Sequence, residues 1–156
     1  MEIDEKLLEN YLRKWQDILR LRDWDIKYEL VNIEWRKTGD IKIDMTDRKA
    51  ILMINDYNPK QTNLEGLVIH ELLHLKLFGM DQMIEKLIFT VFGNDENEPK
   101  FNFAYNQFMN ILEPTVEDLA KGFLTLDGEN KEISFGRVQE QVDKELHKDI
   151  VNSLEI

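Results

Sequence analysis

Residues 67–79 read LVIHELLHLKLFG, and the reading of this stretch decides the rest of the chain. His70 and His74 stand four apart, with Glu71 directly after the first. On a helix, positions four apart share a face, one turn above the other. Two imidazoles so placed can reach one metal ion at about 2.0–2.1 Å each. Glu71 is turned about 100° from that face, so it does not ligate. Leu67, Val68, Ile69, Leu72, Leu73, Leu75, Leu77 and Phe78 make the helix apolar nearly all round, which predicts burial. A buried Glu71 with no cationic partner would cost several kcal/mol or stay neutral. A bound dication removes that conflict. The plainer alternative is a pair of satisfied core histidines beside a surface glutamate.

Upstream, Ile3, Leu7, Leu8, Tyr11, Leu12, Trp15, Ile18 and Leu19 recur at spacings of three and four, predicting an amphipathic helix over about 3–22. Trp24, Ile26, Tyr28 and Leu30 then alternate with polar residues, as do Ile41, Ile43 and Met45, and AILMIN (50–55) forms a third short run. With turns at 38–40 and 47–49, these predict three strands in a small antiparallel meander. Thr62 and Glu65 fit a capping box, with Thr62 as N-cap of the histidine helix and Gly79 as its stop.

Downstream, DQMIEKLIFTVF predicts a second helix ended by Gly93, and Phe101, Tyr105, Phe108, Ile111 and Leu112 predict a third. Pro114 should kink that helix or start a new one, and Gly122 should end it. FLTLDGENKEISF can form a hairpin about Asp127-Gly128. Val138, Val142, Leu146 and Ile150 mark a last helix over 137–155, able to cover a cleft, self-associate or dock on the core. One domain over 1–156 is expected, with a core of about 1–122 and an extension over 123–156. The fold class is α+β: an N-terminal helix, a three-stranded antiparallel-type sheet, then a helical half.

His70-Glu71-Leu72-Leu73-His74 is the H-E-x-x-H arrangement, in which the glutamate serves as general base of a zinc metalloprotease. VIHELLHLKLFG preceded by AILMIN is similar to the active helix and edge strand of zincin metallopeptidases. More narrowly, LRLRDWDIKYEL, RKAILMIN and HELLHLKLFG resemble small HELLH proteins of phages and bacteria akin to the minigluzincins. The resemblance spans about residues 18–90. It implies a zincin-like fold, one Zn2+, a glutamate as third ligand, and hydrolysis of peptide bonds through a zinc-bound water with Glu71 as base. It also implies that the strand before the active helix pairs with an extended substrate. The residues alone leave open whether AILMIN is an edge or a central strand.

Catalytic zinc takes three protein ligands and keeps one open position. A third histidine six residues after His74 is ruled out, because Met80 stands there. The arrangement instead resembles the gluzincin solution, which implies a carboxylate from a following helix. Candidates are Asp81, Glu85, Glu113 and Glu117, with Glu85 the first choice because it lies mid-helix between Ile84 and Leu87. Tyr57, Tyr105 and His147 are candidate oxyanion stabilisers, though packing or exposure explains each as readily.

The composition frames these readings. The chain has 156 residues, 42% of them hydrophobic and 33% charged, as in a globular domain with a real core. A net charge of −11 repels a phosphate backbone, so nucleic acid is not an expected partner. There is no cysteine, so a metal must be held by His, Asp or Glu. No apolar run predicts a membrane span, and the first ten residues lack the basic and apolar regions of a signal peptide. The cytoplasm is the expected location and a peptide or protein the expected substrate. Two other readings compete: a non-catalytic zinc-stabilised phage or prophage interaction module, and a metal-free interaction protein.

Overall fold

The computed structural model describes residues 3–58, 63–133 and 135–154, and of residues 148–154 the backbone alone. In chain order the elements are α1 (Glu5–Ile18), β1 (Asp25–Val31), β2 (Gly39–Asp44), β3 (Lys49–Asn55), α2 (Leu64–Phe92), α3 (Pro99–Asp127) and α4 (Gly136–Leu154). The class is α+β, with four helices and one three-stranded sheet among the described residues.

α1 begins where the Asp4 side chain accepts a hydrogen bond from the Leu7 amide at 3.1 Å. It is shorter at both ends than the apolar periodicity suggests. Leu8, Leu12 and Trp15 along its inner face are fully buried.

The sheet is mixed, which corrects the antiparallel meander. Its order is β1-β3-β2. β2 and β3 form an antiparallel pair with Ile41 opposite Leu52, while β1 runs parallel to β3 with Tyr28 beside Leu52. The most continuously apolar strand takes the centre, where it is paired on both sides and where Leu52 and Ile54 are buried. The two strands with clear alternation take the edges.

α2 is one helix of 29 residues, so Gly79 does not stop it and the expected second helix is its continuation. An interior glycine costs about 1 kcal/mol relative to alanine. The strong helix formers on both sides, and the packing of the whole length on α3, outweigh that. The N-cap is Asn63, whose side chain accepts from the Gly66 amide at 3.0 Å; Thr62 lies outside the described residues. The true stop is Gly93, at φ +76, a conformation glycine adopts without strain.

Pro99 opens α3 at a position where a missing amide hydrogen does no harm. α3 then runs through Pro114 and Gly122 to Asp127, again in 29 residues. The expected stop at Gly122 and the expected hairpin over 123–135 are therefore corrected: 123–127 are the last turn of α3, and 128–133 carry no strand. The boundary after residue 122 falls inside this helix.

α3 returns antiparallel along α2. Phe101 near its start packs on Phe89, and Glu117 further on meets His70. α2 is thereby sandwiched. Val68, Ile69 and Leu72 are fully buried in the core with Leu8, Leu12, Trp15 and Leu52, and Val116, Ala120 and Leu124 of α3 belong to the same cluster. Val138, Val142 and Leu146 of α4 are exposed, and among the described residues α4 packs on no other helix or strand. No described helix is long and apolar enough to cross a membrane.

Candidate metal centre

His70 and His74 occupy one face of α2, with ring centroids 5.0 Å apart. The antiparallel return of α3 brings Glu113 and Glu117, also four apart, against them. Glu113 Oε1 lies 3.1 Å from His74 Nε2, and its Oε2 lies 3.6 Å from His70 Nε2. One nitrogen from each histidine and one Glu113 oxygen all fall within 4.8 Å of one another. Donors around a tetrahedral zinc with bonds of about 2.0–2.1 Å stand about 3.3–3.4 Å apart. The two Glu113 contacts lie near that spacing, and the three donors are close enough together that these residues could hold a small divalent cation. Two imidazoles and a carboxylate suit zinc without excluding other first-row metals.

Glu117 sits behind this group. Its Oε2 is 2.6 Å from His70 Nδ1. A carboxylate on the outer nitrogen fixes the ring's orientation and keeps the proton on Nδ1, which leaves Nε2 free to ligate.

The local field calls for a cation. Burial pushes the His70 imidazolium down, but Glu113 and Glu117 outweigh it and raise its pKa from 6.5 to about 10. Hydrogen bonds from both histidines hold the Glu113 carboxyl far below the usual carboxylate range, against its own desolvation. The His70 contact likewise lowers Glu117, despite burial. Glu71 moves the other way. Burial raises its pKa, Asp40 and Glu113 add to the rise, and the two histidines oppose it. Glu71 is 6% exposed and faces the same cavity, with no hydrogen bond or ion pair among the described residues.

The structure does not bring Glu85 to the histidines. It lies eleven residues beyond His74 on the same continuous helix, about 16 Å along the axis. Its carboxylate accepts instead from Gln82 Nε2 at 2.9 Å. Asp81 lines the cavity but is two turns from His74 on the same helix, and burial with neighbouring Glu85 raises its pKa. Glu113 is the carboxylate that meets both imidazoles. The i, i+4 spacing of Glu113 and Glu117, matching that of His70 and His74, was the available signal: antiparallel helices present such pairs to each other. Of the candidate oxyanion stabilisers, Tyr57 and His147 are exposed, and Tyr105 stacks on Phe101 and Phe89. None lines the cavity. Lys37, which the sequence reading passed over, does line it, held by Asp40 at 2.8 Å.

The cavity measures about 520 Å³ and runs between α2, α3 and β2. β2 is an edge strand of the sheet, and Gly39, Asp40, Ile41 and Ile43 form one wall. β3, the AILMIN strand, has both edges occupied and cannot receive a further strand.

Comparison with known proteins adds no neighbour: no family model, no curated protein and no solved structure matches the chain.

Proposed function

We propose that this protein is a zinc-dependent peptidase, with His70, His74 and Glu113 as metal ligands and Glu71 as general base. The observation that carries the reading is the position of Glu71, a largely buried side chain whose carboxylate opens on the cavity beside the three-donor cluster. A structural metal site is closed by four protein ligands and has no use for such a group.

When bound, zinc supplies a Lewis acid that polarises a carbonyl and makes water more acidic. The chain's own groups do the rest. Glu71, its basicity raised by burial, accepts a proton from the attacking water and delivers it to the leaving amine. Glu117 holds His70 in register through Nδ1. The edge of β2 that pairs with no strand among the described residues offers backbone N–H and C=O groups to an extended peptide, which would lie along the cavity as an added strand. Peptides are the substrate class this supports, because the recognition is main-chain recognition.

The test is cleavage of a mixed peptide library by zinc-loaded protein, with products read by mass spectrometry. Glu71→Gln should retain the metal and lose about 10²–10⁴-fold in rate. Equal turnover in that variant, with contaminating protease excluded, would overturn the role. Wild type that binds zinc yet cuts nothing would point to a metal-stabilised binding module.

A further inference from the structure

A second cavity, of about 290 Å³, lies away from the metal cluster and shares no lining residue with the first. Its lining includes the buried core side chains Leu21, Trp24 and Leu75 and the exposed Met45 and Met80. Around it stand three cations, Arg20, Arg48 and Lys76, and a single carboxylate, Asp23. A net positive pocket is unexpected in a chain of charge −11.

The backbone under two of these cations is telling. Arg20 has φ 59 and Arg48 has φ 52, and they are the described non-glycine residues in the left-handed region. Arg20 is the residue after the C-cap of α1, in a Schellman closure with Leu21 N donating to Gln16 O at 2.8 Å and Arg20 N to Asp17 O at 3.1 Å. Arg48 closes the turn between β2 and β3. Glycine or asparagine fits both positions with less strain. The chain instead places arginine at each, and both border the same cavity. Arg48 is ion-paired with Asp23, which orients it. Arg20 and Lys76 make no side-chain hydrogen bond or ion pair among the described residues, so their donors are free.

We propose that this cavity binds a compact oxyanion, a phosphate or a carboxylate group, through Arg20, Arg48 and Lys76. The guanidinium forks supply paired donors and Lys76 a point charge, all three on exposed side chains around the cavity. This site is independent of the peptidase reading.

The experiment follows the melting temperature of the full chain against inorganic phosphate and, separately, against acetate, with ionic strength held constant by chloride. A saturable rise with either probe is expected. Phosphate acting alone assigns a phosphoryl ligand; acetate acting assigns a carboxylate. The rise should vanish in Arg20→Gly, Arg48→Gly and Lys76→Ala and persist in Lys86→Ala. The two glycine variants suit their backbone, so without anion they should melt at or above wild type. No saturable rise with either probe, or a rise unchanged in the three variants, overturns the proposal.

Discussion

His74 Nε2 stands 3.1 Å from Glu113 Oε1 across the seam between α2 and α3. The contact lies where α3 returns antiparallel along α2, a pairing the two helices extend through Gly79 and Pro114. The same pairing separates the ligand candidates from one another.

Metal content should follow that pairing. Wild type prepared without a histidine tag should carry about one zinc per chain by elemental analysis. His74→Ala and Glu113→Gln should lose it, and Glu85→Gln should keep it. Retention in Glu113→Gln with loss in Glu85→Gln would sink the ligand set.

Glu117 should act through His70 and not through the metal directly. Glu117→Ala removes the carboxylate 2.6 Å from His70 Nδ1. Chelator competition should show metal affinity weaker by about 10–100-fold, with binding still measurable. Complete loss would make Glu117 a ligand; an unchanged affinity would make it a bystander.

Glu65 tests how the first turn of α2 is held. Its fully buried carboxylate accepts from Trp15 Nε1 at 2.8 Å, Lys14 Nζ at 2.9 Å and the Glu129 amide at 2.8 Å. Burial pushes its pKa up, but these donors outweigh burial and hold it below the ordinary 4.5. A lowered folded pKa means stability that is present above 4.5 and lost as pH falls through the folded value. Glu65→Gln should cost on the order of 2–3 kcal/mol at neutral pH. It should also flatten the acid limb of a denaturation-versus-pH profile. An unchanged acid limb would count against the assignment.

Gly39 lets β2 approach α2. A Cβ there would meet Leu67 Cδ1 at 2.8 Å and the Met53 carbonyl oxygen at 3.3 Å. Gly39→Ala should destabilise by about 1–3 kcal/mol through overpacking. Leu67→Ala in the same chain should relieve part of that, so the two losses should sum to more than the double variant's. Strict additivity in denaturant titrations would show that the contact is not the cause.

Much of this protein is set locally and could be read from residue order alone. The periods of α1 and of the histidine helix, the three strand segments, the stop at Gly93 and the pairing of His70 with His74 all follow from side chains near one another in sequence. Backbone sterics and the 3.6-residue turn need no distant partner. The strand order did need one, since a strand takes the centre by competition for burial among all three. The helix lengths did as well: Gly79 is a weak stop and Pro114 a stronger one, and both are overruled where the two helices pack on each other. The third donor was decided last and farthest away. Glu113 is one of 31 acidic residues, and its four-residue spacing from Glu117, which Asp81 and Glu85 share, does not single it out. The antiparallel return of α3 is what carries that carboxylate to the two imidazoles, while Glu85, rigidly joined to them by the same helix, can never reach.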